Sequence, residues 1–261
     1  MKTYCLASSS KGNCFIFDFD INGVSHKIMV ECGIPMSTIY KKCNELKINL
    51  SEIESCLITH LHRDHSLSAK DLYDRNIPIL ASKDTLESCK VKGQVLIQNK
   101  PNYVLNGLFV FPFEVEHDVE GAFGFILKTA KETVMFINDC KKWDANLINF
   151  KPNYVFIECN YENKMVYAQI NELQHLQQTS SDEKELKEAN ITLKQFDRNT
   201  KAHMSLLGCI KGLKKLNLSR CNFICLMHLS DRYANEYKMK NEVQLQTGVT
   251  TYVAGKNGGI K

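Results

Sequence analysis

The sequence predicts an α/β protein of the α+β type, built as a four-layer αββα sandwich. Apolar strand patterns alternate with amphipathic helices in the first third of the chain, and the same order returns near its end. Between these parts, residues 93–137 consist mostly of strand patterns. Since no short repeat and no Pro/Gly/Ser-rich linker interrupts the 261 residues, we expect a single domain over 1–261.

The first half of the sandwich begins with a hairpin. Strands are predicted at 13–19 and 25–31, and Asn22-Gly23 between them is a strong turn signal. The later elements of this half are predicted to be a helix at 36–47, a strand at 55–60, a helix at 67–75 and a strand at 77–82.

The second half begins with the strand patterns GQVLIQ, GLFVFPFEVE, GAFGFILKT and ETVMFI, followed by a strand at 153–158. A polar helical insert is expected at about 161–200, with one or two helices over 164–195. The predicted elements that end the chain are a helix at 204–215, a strand at 222–227, a helix at about 233–245 and a strand at 248–254.

Composition narrows the class of protein. No run reaches ~18 apolar residues and the first residues do not form a signal peptide, so we expect no membrane span and no secretion. Eleven scattered cysteines without a CxxC pair indicate reduced thiols and a cytoplasmic location. The net charge of +4 comes from 28 Lys and only five Arg, which favours a small anionic substrate over a long nucleic-acid groove.

The segment THLHRDHS, residues 59–66, carries the strongest chemical signal. It places His60, His62, Asp64 and His65 within six positions directly after an apolar strand. A loop that leaves a strand can direct His60 and His62 at one ion, while Asp64 and His65 turn back onto a second. Imidazole and carboxylate ligands suit Zn²⁺, Mn²⁺ or Fe²⁺. The sequence therefore predicts a metal site here.

Three further polar residues follow apolar strands. His117 comes after FVFPFEVE, Asp139 after VMFI and His228 after NFICLM. Each one alone could be an ordinary strand-end residue, but in this order they can converge on one rim of the sandwich.

This pattern resembles the HxHxDH signature and the later ligands of the metallo-β-lactamase fold, over nearly the entire chain. The resemblance implies that His60, His62 and His117 hold one divalent ion, that Asp64, His65 and His228 hold another, and that Asp139 is shared. Zn²⁺ is the expected metal and Mn²⁺ the alternative.

The N-terminal segment SSSKGNCFIF is similar to the opening of small phosphodiesterases of this fold, including a group of bacterial exonucleases. It implies that Ser10, Gly12 and Asn13 shape the loop beside the site and that Ser10 and Asn13 contact the substrate. MVECGI resembles the family's IDAG strand, with Glu31 in place of the usual Asp.

His203 and Glu158 match a pair found in phosphodiesterases that resemble ribonuclease Z. The resemblance implies that Glu158 orients His203, which contacts the substrate and protonates the leaving oxygen; a cap of a surface helix is the other interpretation of His203. Asp64 is counted with these two as catalytic. His26 and His175 are expected to be ordinary surface or strand residues, and Trp143 could line the pocket or pack in the core.

The chain resembles two groups of relatives. The segments ECNYEN and HLSDRYANEYKMKNEV look more like the phage anti-Pycsar enzymes, which destroy cyclic CMP and cyclic UMP defence signals, than like the exonucleases. This resemblance implies a small nucleotide substrate and a homodimer in which the helices at 164–195 contact the partner. The alternative is a metal-dependent DNA exonuclease. A non-catalytic regulator is disfavoured because no ligand is missing.

Overall fold

The first sheet is formed by the N-terminal third of the chain. In the computed structural model, which describes residues 1–261, its strands lie in sequence order, antiparallel from β1 to β3 and parallel from β3 to β6. Its strands are β1 Lys2–Ser9, β2 Gly12–Ile21, β3 Val24–Cys32, β4 Ile53–Leu57, β5 Ile79–Ala81 and β6 Gln94–Val95. Its helices are α1 Met36–Glu45, α2 Arg63–Ser66, α3 Ala69–Tyr73 and α4 Lys83–Cys89.

The second sheet runs in the reverse order, from β13 to β7, and is antiparallel from β7 to β10 and parallel from β10 to β13. Its strands are β7 Asn102–Leu105, β8 Leu108–Glu114, β9 Phe123–Lys128, β10 Thr133–Ile137, β11 Tyr154–Glu158, β12 Phe223–Met227 and β13 Thr251–Val253. Its helices are α5 Asn163–Thr179, α6 Glu183–Ala202, α7 Leu206–Leu213 and α8 Glu236–Thr247.

The two sheets pack face to face around an aromatic core. Phe15 and Phe17 of β2 meet Phe136 of β10 and Phe156 of β11 edge to face, and the ring centroids of Phe17 and Phe156 lie 4.9 Å apart. Two further apolar clusters lie on the outer faces, one under the helices of each sheet. Helices, two sheets and helices thus form four layers, which confirms the predicted αββα sandwich.

The structure refines the predicted elements. The insert contains two helices, α5 and α6. The helix predicted at 67–75 is the shorter α3, and the short helix α2 before it was not predicted. Helix α4 was not predicted, because seven residues give less than two turns of pattern; the Ser82 hydroxyl caps it by accepting from the Thr85 N–H at 3.3 Å.

Two findings bear on the compositional expectations. All eleven cysteines are free thiols, and nine of them are buried. No helical segment combines the length and apolar character that crossing a bilayer requires.

Candidate metal centre

Histidine and carboxylate side chains from both sheets converge at one edge of the sandwich. Their potential ligand atoms form overlapping groups, within each of which all atoms lie within 4.8 Å of one another. The groups are His60, His62, His117 and Asp139; Asp64, His65, Asp139 and His228; and Asp139, Glu158, His203 and His228. The structure therefore brings together every residue that the sequence suggested as a metal ligand.

In the first group, three imidazole nitrogens point at a common centre. Nδ1 of His62 lies 3.1 Å from Nε2 of His60 and 3.2 Å from Nε2 of His117. Oδ2 of Asp139 lies 4.0 Å from the Nε2 atoms of His60 and His117. One carboxylate oxygen and three nitrogens thus surround a space suited to a single ion.

The outward hydrogen bonds fix the tautomers of two of these rings. The Thr59 hydroxyl donates to Oε1 of Glu31 at 2.5 Å, so its oxygen must accept from Nδ1–H of His60 at 2.9 Å. Nδ1–H of His117 donates to the carbonyl of Ala202 at 3.0 Å. Both rings therefore keep the Nε2 lone pair for the centre of the group, the arrangement that metal-binding histidines need.

The second group shares the Asp139 carboxylate with the first and adds that of Asp64. Nε2 of His65 lies 3.2 Å from Oδ2 of Asp139 and 3.4 Å from Oδ2 of Asp64. Nδ1 of His228 lies 2.8 Å from Oδ1 of Asp139. Nε2 of His228 is buried without a hydrogen-bond partner and lies 3.7 Å from Oδ2 of Asp64.

The polar atoms that remain unsatisfied test whether a divalent ion fits. Buried polar atoms normally have hydrogen-bond partners, yet Nε2 of His228 and Oδ1 of Asp139 make no hydrogen bond within the protein. Nδ1 of His228 is close to that oxygen but forms its hydrogen bond with Oε1 of Glu158. Both unpartnered atoms are common ligands of Zn²⁺ and related ions. The donor set and its unpartnered atoms therefore fit divalent metal binding.

The pKa shifts of two histidines bear on metal binding. Burial lowers the pKa of His60 well below its usual value, so its ring is neutral and can bind an ion. Burial also disfavours the charged form of His228, but the Asp139 carboxylate outweighs it and raises the pKa of His228 well above its usual value. An ion must therefore displace a proton from His228, so metal affinity should fall as pH falls.

Three site residues have left-handed backbone conformations that non-glycine residues seldom adopt. They are Glu31 with φ of 65°, Asp139 with φ of 43° and His228 with φ of 54°. The turns after β10 and β12 direct Asp139 and His228 into the site. Such strain persists where the surrounding structure fixes it, and it is concentrated at functional sites.

Close backbone packing holds the histidine loop in place. A Cβ atom on Gly33 would lie 1.6 Å from the carbonyl oxygen of Asp64, so only glycine fits there. The amide of Asn13 donates to the carbonyls of Ser9 and Asp64 and lies 3.4 Å from Nε2 of His65. Asn13 is fully buried and packs against the loop.

Glu31 connects the two groups of ligands. Its carboxylate accepts from the Thr59 hydroxyl, which in turn supports His60, and Oε1 lies 3.3 Å from Nδ1 of His65. Burial raises the pKa of Glu31, although His65 and Thr59 oppose that effect. The Glu31 side chain therefore contacts the histidine loop directly.

Glu158 is a buried carboxylate with contacts on both sides. Oε1 accepts from Nδ1–H of His203 at 2.7 Å and lies 3.3 Å from Nδ1 of His228. Oε2 accepts from the backbone N–H groups of Cys140 at 2.7 Å and Met204 at 3.2 Å. Glu158 thus fixes His203 and also the turn that carries Asp139.

The remaining candidates do not belong to the ligand groups. Ser10 is exposed in the β1–β2 turn. His26 pairs with Glu54 at 2.7 Å, and His175 is exposed on α5. Trp143 is buried against Gly212 of α7 and also borders a cavity of about 1240 Å³ beside His117.

Several residues that support the site have no role predicted from the sequence. The Ser8 hydroxyl accepts from the His228 N–H, and the amide of Asn160 donates to the His228 carbonyl. Asp118 contacts His62 and His117 and is bound by Arg198. Ser8 is the first residue of the SSSKGNCFIF segment and Asp118 follows His117, but nothing in the sequence marks Arg198.

Replacing Glu31 by Gln tests its role in supporting the histidines. The amide is nearly isosteric but is uncharged, so we expect the affinity for Zn²⁺ to fall about 10–100-fold in competition with a chromophoric chelator. Glu54→Gln, which loses only the distant contact with His26, should bind like the unchanged protein. Equal affinity of the Glu31→Gln protein would contradict this role.

Comparison with known proteins gives the fold. No sequence-family model and no curated protein sequence matches the chain. Among solved structures, the YhfI metallo-β-lactamase fold protein from Bacillus subtilis is similar with a TM-score of 0.68, 14% identity and coverage of 99% of this chain and 98% of that one. A diphosphatase of the PhnP family is similar with a TM-score of 0.64 and 13% identity, and the match covers 99% of this chain and 96% of that one.

A third similar structure is human tRNase Z, short form, with a TM-score of 0.57, 13% identity and coverage of 89% of this chain and 94% of that one. At these identities the likeness concerns the fold. The chain has the metallo-β-lactamase fold.

Proposed function

We propose that this chain is a metal-dependent phosphodiesterase with two divalent ions, Zn²⁺ as the first choice and Mn²⁺ as the second. The observation that carries the proposal is the pair of adjacent ligand groups that share Asp139, with His203 and Glu158 beside them. The names of two similar structures, a diphosphatase and a tRNase Z, agree with hydrolysis at phosphorus.

The proposed ligands divide as the geometry suggests. His60, His62 and His117 would hold one ion, Asp64, His65 and His228 the other, and Asp139 both. When bound, two such ions would supply a water molecule of lowered pKa and positive charge for the phosphoryl oxygens. The protein's own contribution is to keep its ligands deprotonated and oriented through Glu31, Thr59 and the backbone.

His203 is the proposed general acid. Its side chain is 19% exposed, so it can reach a substrate, while its Nδ1–H is held by the buried carboxylate of Glu158. Burial alone would lower the pKa of His203, but the Glu158 carboxylate reverses this and raises it. The ring can therefore carry a proton at neutral pH and give it to the leaving oxygen from Nε2.

The proposed substrate is a 3′,5′-cyclic mononucleotide of the cyclic CMP or cyclic UMP type, cleaved to a linear monophosphate. The low arginine content supports a small substrate. The α5–α6 arm also supports it, because residues 163–202 contain six cationic and six acidic side chains and so offer no net positive surface to a polynucleotide.

The second candidate is a DNA exonuclease. The SSSKGNCFIF segment, which resembles that of small bacterial exonucleases, favours this function. Its Asn13 packs against the histidine loop and would serve either substrate equally.

Substrate tests separate the two candidates. The protein, loaded with Zn²⁺ or Mn²⁺, is incubated with 3′,5′-cyclic nucleotides and separately with single- and double-stranded DNA, and products are resolved by chromatography. We expect linear nucleoside monophosphates from the cyclic nucleotides and little loss of DNA. If the protein degrades DNA and leaves the cyclic nucleotides intact, the DNA exonuclease becomes the preferred function.

Replacing His203 by Ala tests whether this residue acts as the general acid. We expect kcat to fall about 10²–10⁴-fold with both ions retained, because the ring acts on the leaving oxygen and binds no ion. His175→Ala, a change at an exposed position on α5, is the control and should leave kcat unchanged. Loss of metal from the His203→Ala protein would show that the ring holds an ion instead.

We also propose a homodimer formed through the arm. Helices α5 and α6 expose Met165, Tyr167 and Ile191 by 38%, 55% and 50%, and a second copy of the chain would cover this apolar surface. Light scattering at micromolar concentration should give about twice the monomer mass, and Tyr167→Glu with Ile191→Glu should give the monomer mass. A monomer mass for the unchanged protein would reject this arrangement.

A further inference from the structure

Each imidazole of the first ligand group uses one nitrogen at the centre and has a supporting contact at the other. His60 is supported by Thr59, and His117 by the carbonyl of Ala202. Nε2 of His62, the nitrogen not directed at the other two rings, lies 3.5 Å from Oδ1 of Asp118, and the same oxygen lies 3.1 Å from Nε2 of His117. A metal-binding imidazole needs such an outer partner to fix its ring orientation.

Two of these three supports depend on the last turn of α6. Ala202 is the final residue of that helix, and its carbonyl supports His117 directly. Arg198 lies four residues before it, at the start of the same turn, and its Nε and Nη2 atoms donate to Oδ2 of Asp118 at 3.0 and 2.9 Å. The spacing of four residues places both contacts on one face of the helix, opposite the successive residues His117 and Asp118.

The guanidinium acts here through geometry more than through charge. Its side chain is 70% exposed, and an exposed ion pair contributes little to stability. With Oδ2 held by two N–H groups, however, the Asp118 carboxylate cannot rotate freely, and Oδ1 stays near Nε2 of His62 and 3.1 Å from Nε2 of His117.

We propose that the last turn of α6 is a positioning element of the first metal position, with Arg198 orienting His62 through Asp118 and the Ala202 carbonyl orienting His117. This inference rests on the proposed metal binding. Arg198 contacts neither the centre of the group nor the reacting atoms; it is a positioning residue that the insert contributes to the site.

The same turn ends at His203, so one helix end supports two imidazoles and carries the proposed acid. Movement of this turn would therefore disturb metal binding and proton transfer together. Helix α6 is 20 residues long and extends about 30 Å, so it connects the site with the far end of the arm.

The test measures zinc binding to the full chain by competition with a chromophoric chelator. Arg198→Ala should weaken one of the two equivalents about 10–100-fold and leave the other unchanged. Asp118→Asn should weaken the same equivalent, and the double variant should bind like the single ones because both act through one contact. Arg198→Lys should recover only part of the affinity, since an ammonium lacks the planar pair of donors.

Lys201→Ala is the matched control, since Lys201 is an exposed cation on the same turn whose ion pair is with Asp197. It should bind zinc like the unchanged protein. Circular dichroism of each metal-free variant shows whether it folds, and the thermal shift on adding zinc gives a second readout. If a folded Arg198→Ala protein binds zinc as the unchanged protein does and only its KM is raised, the proposal is overturned. Arg198 would then contact the substrate.

The outcome is distinguishable from failure of the proposed function. If the unchanged protein binds no zinc, the proposed metal site itself is wrong. If the unchanged protein binds two equivalents and Arg198→Ala also binds both normally, only the role of α6 is wrong.

Discussion

The candidate metal centre depends on one buried carboxylate, Asp139. It lies among histidines, and the protein does not supply a hydrogen-bond partner for every polar atom of this cluster. The Asp139 side chain is 2% exposed and lies within 4.0 Å of a ring nitrogen of five histidines, yet one of its oxygens lacks a hydrogen bond. Burying ionisable groups at this density is costly unless they are paired or coordinate an ion. The fold accepts this cost and the strained φ of Asp139, as expected of a functional site.

The surrounding scaffold orients the histidine and carboxylate side chains of the centre. The two sheets are held by a largely aromatic and aliphatic core, while the histidine and carboxylate ligands gather at one edge. Two buried carboxylates hold the site by hydrogen bonds. Glu31 accepts from Thr59 in the histidine loop, and Glu158 accepts from the Cys140 N–H in the turn that carries Asp139. The proposed chemistry thus depends on hydrogen bonds made one layer away from the ligands.

The sequence predicted the layers and the ligand groups because both have local signals. Strand and helix patterns have distinct periods, and His60 to His65 crowd into one short loop. Helix α4 was too short to show a period, and Ser8, Asp118 and Arg198 were missed because their roles depend on contacts between residues far apart in the chain. Arg198 contacts Asp118 across 80 positions, which no local pattern can reveal.

The most direct test of the account is the metal content of the protein. The chain is stripped with a chelator, reconstituted with Zn²⁺ or Mn²⁺, freed of excess metal and subjected to elemental analysis against its protein concentration. Two ions per polypeptide are predicted, because two ligand groups share Asp139. Fewer than one ion per polypeptide in folded protein would contradict the account.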